Sequence, residues 1–360
     1  MTENIEETVK IYRINSLAVP FYRDFRFSIF VGISIKKIFR EFKPDIVHLE
    51  DHLFVSRAAL SEARRKNINI IATNHFTPYN WIPNLKIKKN SFIYIIVEKI
   101  LWGYFLNVFN KINNVTVPSN FAKEILRKAG FKKNVVVISN GVDLKKFKII
   151  RNKKDDTILK NTKSLFFLKH GIDTGKLIIL SVSRLDSEKR IDRLINAISL
   201  IKDKIKLDFQ FIIVGKGKEE ENLKRLSRKK GMDNNTIFTG RVEEDDLLEL
   251  YGESDIFISA SDVELQGISI MEAMAAGLTV VAAHSMAIPE LVQDGLNGYH
   301  FEQGNAKDAG DKILRLINNK KIRMEMGLKS ELLIKQHDFE KTLDKFEEMY
   351  SRCLYYKSFR

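Results

Sequence analysis

Residues 258–282 read ISASDVELQGISIMEAMAAGLTVVA, and the residue types spell out a strand end, a loop, a helix and a second strand. The run DIFI at 255–258 has the length of a buried parallel strand. Small and polar residues from Ser259 to Glu264 then make the loop expected at a strand's carboxyl end. Gly267 lets backbone approach a ligand with no Cβ in the way. A helix beginning near Ile268 turns its free N–H groups and the positive end of its dipole to the loop mouth, which favours an anion such as a diphosphate. Glu264 and Glu272 stand eight positions apart. The first precedes the helix and is placed to accept from sugar hydroxyls. The second lies over one turn into it and is placed to accept from two ribose hydroxyls. Ala273, Ala275, Ala276 and Gly277 keep the helix thin enough to pack on a sheet. The stretch suits a sugar nucleotide.

The spacing of the two glutamates resembles the E-x7-E signature of the retaining family 4 glycosyltransferases, which have the GT-B fold. The form Glu264-x-Gln266-Gly267 is most similar to the branch that glycosylates lipids, such as diacylglycerol glucosyltransferases and phosphatidylinositol mannosyltransferases. Other segments follow in the family's order. SRLDSEK at 183–189 resembles its phosphate-binding segment, VGKG at 214–217 its V-G-x-G strand end, NGVD at 140–143 its interdomain motif, and Pro118-Ser119 the P-S that opens a helix in its first domain. The resemblance implies an α/β protein: two Rossmann-like doubly wound domains facing a central cleft.

Strand–helix alternation agrees. Strands are expected at 46–49, 68–73, 115–117 and 135–138, with helices near 28–41, 53–66, 90–110 and 119–129. A lysine-rich linker with a short helix is expected at 148–174, then strands at 177–183, 209–214, 236–238, 255–258 and 279–282. Helices near 305–318, 320–335 and 339–355 close the chain. The expected domains are 1–147, on the acceptor side, and 175–335, on the nucleotide-sugar side. The segment 336–360 is expected to cross back to the first domain. One departure stands out. Family members begin with a strand and a glycine-rich loop, whereas the first glycine here is Gly32, inside an expected helix. VKIYRI at 9–14 looks like the family's third strand region. The N-terminal domain is therefore expected to be incomplete, lacking its first strand, glycine loop and first helix.

Composition narrows the class. A chain of 360 residues has room for two cores. The single cysteine, Cys353, excludes an internal disulfide and a cysteine metal cluster, and points to a cytoplasmic protein. No apolar run reaches the roughly 20 residues that span a bilayer, and the acidic, polar start is unlike a signal peptide. The formal net charge of +14 suits nucleic acid or an anionic membrane. Residues 145–169 hold nine Lys/Arg against two Asp. Residues 81–111 combine five lysines, among them Lys86, Lys88 and Lys89, with seven Trp, Tyr and Phe. That mixture suits a helix lying in a membrane interface, although a domain helix with a solvated lysine face reads alike. No nucleic-acid motif accompanies the charge, and nucleic acid is not an expected partner.

The expected activity is retaining transfer of a hexose from a nucleotide sugar, UDP- favoured over GDP-, to a lipid acceptor. The place is the cytoplasmic face of the membrane, with the protein peripheral on an anionic surface. By the resemblance, Arg184 and Lys189 bind the diphosphate and stabilise it as it leaves. Glu264 contacts the sugar and Glu272 the ribose. Gly215, Gln266, Gly267 and Ile268 line the donor, and Arg241 and Val242 meet its base. His75, at the carboxyl edge of the first sheet, contacts the donor sugar. The catalytic set is thus His75, Glu264, Arg184 and Lys189. Asp51 and the three lysines mark the acceptor or membrane side. No metal or cofactor is expected, since the cations take that role. The alternatives are a soluble glycan or small-molecule acceptor, or a truncated non-catalytic protein that binds nucleotide sugars.

Overall fold

A computed structural model describes residues 2–6, 9–19, 22–28, 30–85, 87, 91–155 and 165–355. Four short strands come first: β1 (Thr2–Glu6), β2 (Val9–Tyr12), β3 (Ser16–Val19) and β4 (Tyr22–Ser28). They pair as two antiparallel ribbons, β1 with β2 and β3 with β4. VKIYRI, expected to be the family's third strand region, thus contributes Val9–Tyr12 to an antiparallel ribbon and stands outside the parallel sheet. Its partner lies close by along the chain, so pairing the two carries little loop-closure entropy.

Helix α1 (Val31–Phe42) buries Val31, Ile35 and Phe39, a single stripe at spacings of four. The first sheet follows: β5 (Ile46–Leu49), α2 (Phe54–Arg65), β6 (Asn69–Thr73), α3 (Phe92–Phe109), β7 (Asn114–Val117), α4 (Asn120–Lys128) and β8 (Val135–Val137). Its four strands are parallel and stand in chain order. Leu49, Ala72, Val115 and Val117 pack with Phe105, Phe109 and Leu126 in its core.

Two helices connect the sheets among the described residues, α5 (Leu144–Asp155) and α6 (Leu165–His170). The first begins ahead of the expected linker boundary, because Phe147 is buried and anchors it. The second sheet then alternates β9 (Leu177–Val182), α7 (Ile191–Ile201), β10 (Phe209–Val214), α8 (Glu220–Lys229), β11 (Thr236–Gly240), α9 (Glu244–Glu253), β12 (Ile256–Ser259), α10 (Ile268–Ala275), β13 (Thr279–Ala283), α11 (Ile288–Leu291) and β14 (Gly298–Phe301). Helices α12 (Ala306–Ile317), α13 (Lys320–Ile334) and α14 (Phe339–Tyr355) complete the chain. The strand order is β11-β10-β9-β12-β13-β14, and every pair is parallel. All six residues of β10 are buried, as a strand covered on both faces requires. The sequence reading missed β14. Its four residues GYHF begin with a glycine that packs flat on β13, where a Cβ would stand 2.0 Å from the Val280 oxygen.

Order reverses between β9 and β12. In an open parallel sheet the loops leaving two strands on either side of such a reversal diverge, and ligands bind in the crevice between them. The loop after β9 carries Arg184 and Lys189, and the loop after β12 carries Glu264.

Helix α14 packs against the first sheet. Val142 N–H donates to the His337 carbonyl and Phe339 N–H to that of Val142, at 2.9 and 3.1 Å. The Tyr350 hydroxyl lies 2.7 Å from His48 Nδ1, and Asn69 Nδ2 donates to the Cys353 carbonyl at 2.6 Å. Gly141 permits the crossing: its φ is +77°, and a Cβ would stand 2.8 Å from Phe339 Cα.

Candidate active site

The turn after β9 is shaped by direct backbone contact. A Cβ on Gly215 would stand 1.9 Å from the Ser183 oxygen, and one on Gly217 would stand 2.3 Å from the Leu185 carbonyl carbon. These glycines press VGKG against SRL, which accounts for the G-x-G without a ligand. Arg184 reaches Asp186 at 2.5 Å and Glu188 at 2.7 Å. The motif's own carboxylates thus hold its guanidinium beside the crevice. Lys189 Nζ bridges to Glu264 at 2.8 Å, with both side chains about four-fifths buried, and lies 3.4 Å from Ser261 Oγ. One ion pair therefore joins the two loops that flank the order reversal. Gly267, at φ +88°, stands just ahead of α10 and lets the helix begin directly from the loop, with Ile268 exposed. Cations and a helix N-terminus converge on one crevice, an arrangement that neutralises a diphosphate.

Glu272 lies in α10, and burial raises its carboxyl above the ordinary carboxylate value. The Tyr251 hydroxyl donates to its Oε2 at 2.8 Å and acts in the opposite direction. Arg241 is exposed beyond the end of β11, while Val242 packs on the second core.

Gln266, expected among the donor-binding residues, makes its side-chain contacts across the domains. It is buried, its Nε2 donates to Ser139 Oγ at 2.5 Å, and its Oε1 accepts from Asn140 N–H at 3.0 Å. Its amide is engaged by the segment before α5, so it also joins the two domains. Neighbouring Leu265 is buried in the first domain's core, and its carbonyl accepts from Ser119 Oγ at 2.6 Å. Ser119 also caps α4, accepting from Ala122 N–H at 3.0 Å. Glu290, within α11, reaches the same helix end and accepts from the Phe121 and Asn120 N–H groups at 2.6 and 3.0 Å. The P-S motif thus grips the donor loop of the other domain. Its residue types gave no hint of that.

His75 follows β6 at the carboxyl edge of the first sheet. Its Nε2–H donates to Glu50 Oε2 at 2.8 Å, which is the chief reason that the Glu50 carboxyl sits below its ordinary value. Glu50 was not among the expected site residues; its signal was a carboxylate one residue past β5, on the strand next to the histidine's. His48 is drawn down by burial and bonds Thr73 Oγ1 at 2.7 Å. His52 is fully buried among Phe76, Trp81, Tyr104 and Phe105, with its pKa pushed down to about 4 by burial. Asp51 accepts from Leu53 N–H at 2.7 Å and turns the chain into α2. The loop that begins at His75 continues to the turn Ile82–Leu85, which lies against Ser187–Lys189 across the crevice. Lys86, Lys88 and Lys89 lie outside the described residues.

Helix α3 is divided along its length. Trp102, Phe105, Leu106, Val108 and Phe109 are buried, whereas Phe92, Ile93, Ile95, Ile96 and Ile100 are exposed. Mean hydropathy over its 18 residues is 1.5, and it is long and apolar enough to cross a membrane by length and composition alone. Its exposed half is a contiguous apolar surface on the first domain.

Comparison with known proteins agrees with this architecture. Residues 2–146 match Glycosyltransferase Family 4, and residues 163–332 match Glycosyl transferases group 1. The sulfoquinovosyl transferase SQD2 of Arabidopsis thaliana is 24% identical over 347 residues, which is 95% of this chain and 63% of that protein. The alpha-monoglucosyldiacylglycerol synthase of Streptococcus pneumoniae is 28% identical over 298 residues, 82% of this chain and 64% of its own length. The chain thus spans just under two thirds of these two relatives. HepE of Anabaena, solved with UDP-glucose, superposes with a TM-score of 0.72 at 18% identity, covering 90% of this chain and 82% of that one. A likeness at that identity speaks for the fold. With a family 4 domain in front and a group 1 domain behind, on two facing Rossmann-like sheets, the chain belongs to the GT-B glycosyltransferases.

Proposed function

We propose that this glycosyltransferase moves a hexose, with retention, from a UDP-sugar to a lipid acceptor at a membrane surface. The observation that carries the donor half is the Lys189–Glu264 pair at the order reversal, with Arg184 beside it and the start of α10 behind. A diphosphate entering the crevice meets both cations and the α10 N–H groups. As the C1–O bond to the diphosphate breaks, these groups stabilise the charge on the leaving oxygen. The acceptor oxygen bonds to C1 on the same face, and its proton passes to the leaving diphosphate. Glu264 holds sugar hydroxyls, Glu272 holds those of the ribose, and His75, oriented by Glu50, approaches the sugar from the first domain. The monoglucosyldiacylglycerol synthase relatives support the lipid acceptor by analogy. The exposed apolar half of α3 supports the membrane surface, with Lys86, Lys88 and Lys89 adjoining it in sequence for anionic headgroups.

The test is nucleotide release from a panel of UDP- and GDP-sugars, with diacylglycerol-containing anionic vesicles or with soluble glycan acceptors. Release with UDP-sugars that requires vesicles, and that falls on the order of 10²-fold or more in Arg184→Ala, supports the proposal. Equal turnover with soluble acceptors sinks the lipid half. Nucleotide binding without turnover under any condition sinks the catalytic half.

A further inference from the structure

Tyr251 is fully buried in α9, 21 positions from the carboxylate that it touches. Its ring lies between Phe147 of α5, with centroids 5.9 Å apart, and Phe257 of β12 at 6.0 Å. Rings on two sides keep it from swinging. Its hydroxyl proton faces two acceptors, Glu272 Oε2 at 2.8 Å and the Ser269 carbonyl at 3.2 Å, and the nearer is the carboxylate. Among the described residues this bond engages only Oε2 of Glu272.

We propose that Tyr251 is a positioning residue. Its hydroxyl fixes the Glu272 carboxylate in the one rotamer that presents Oε1 and a lone pair of Oε2 to the ribose hydroxyls of the donor, and so sets the preference for ribonucleotide over deoxyribonucleotide donors. The inference rests on the proposed ribose contact of Glu272. A carboxylate on a helix has several rotamers of similar energy, and a donor must otherwise bear the cost of freezing one. A rigid, buried phenol freezes it in advance. The phenol also keeps one oxygen supplied with a proton donor, so that the carboxylate remains a charge-assisted acceptor in a site poor in water.

The experiment is calorimetric binding of UDP and of 2′,3′-dideoxy-UDP to the full chain, its Tyr251→Phe variant, its Glu272→Ala variant and the double variant. Thermal melts establish that each is folded. Tyr251→Phe is expected to weaken UDP by roughly three- to ten-fold, the worth of one hydrogen bond to a charged group. It should leave dideoxy-UDP unchanged, and it should add nothing on top of Glu272→Ala. A purely structural role would weaken both nucleotides equally, and that result overturns the proposal, as does an unchanged affinity for UDP. A UDP to dideoxy-UDP ratio that Glu272→Ala leaves untouched would instead overturn the ribose contact itself, whatever Tyr251 does. Failure of the unaltered chain to bind UDP overturns both.

Discussion

Among single side chains, Glu272 faces opposed demands. Burial raises its carboxyl, so the folded chain binds this proton more tightly than the unfolded chain does. By linkage, its contribution to stability is complete below the unfolded value, about 4.3, and is lost as pH rises through the higher folded value. Glutamine keeps the shape without the charge. Glu272→Gln is therefore expected to raise the melting temperature at pH 8, with the gap closing near pH 4. The same variant should weaken donor binding at pH 8, because the amide offers one acceptor oxygen where the carboxyl group offers two. A scan of melting temperature against pH checks the first part and nucleotide titration the second. A lower melting temperature for the variant at pH 8 would contradict the sign. The residue types alone exposed this carboxylate through its spacing from Glu264. They did not expose Tyr251, because a tyrosine 21 positions away carries no periodic relation to it.

Among elements, α3 joins two environments in one helix. Its C-terminal half is core: Phe105 and Phe109 are fully buried. Its N-terminal half leaves Phe92 78% and Ile100 64% exposed. The two halves should answer differently to substitution. Ile93, Ile96 and Ile100 changed together to serine are expected to move stability by less than about 1 kcal/mol, since little packing is lost. Vesicle cosedimentation should fall at least ten-fold, because each apolar side chain contributes about 1.5–3 kcal/mol to partition into lipid. Phe105→Ala should cost about 3–5 kcal/mol by leaving a cavity and should not touch vesicle affinity in the folded fraction. Unchanged cosedimentation of the triple variant would remove α3 as the membrane contact. The helix itself was legible from its run of apolar residues. Its division was not, since the residues are apolar all round and only packing decides which half is covered.

At the scale of the molecule, the loop after β12 doubles as the domain junction. Leu265 sits in the first domain's core, Gln266 bonds Ser139 and Asn140, and Glu290 caps α4 from the other domain. A carboxylate at a helix N-terminus combines hydrogen bonding with a favourable dipole term, together about 1 kcal/mol. That bond exists only while the domains face each other, so it biases them toward closure. Glu290→Ala is expected to shift the population toward open forms by about five-fold. Small-angle scattering should then give a larger radius of gyration, and donor KM should rise. Scattering identical to the parent would show that the cap does not govern closure. His337, drawn below its ordinary value by burial, touches Ser139 at the same junction.

The sequence by itself determined most of the elements and marked both loops of the crevice. Apolar runs fixed the parallel strands, small residues and glycines fixed the turns, and the paired glutamates with SRLDSEK marked both loops at the order reversal. These are local patterns, repeated within a few residues, and local backbone physics reads them directly. The short β14 and the antiparallel start escaped, because a four-residue strand containing glycine and histidine has almost no period. Tertiary structure alone decided that Gln266 bonds Ser139, that Glu50 meets His75, and that Glu290 and Ser119 hold one helix end between domains. Each of these joins groups between 25 and 170 positions apart. The energy of such a contact depends on where the packed cores place two side chains, and no spacing along the chain encodes that distance.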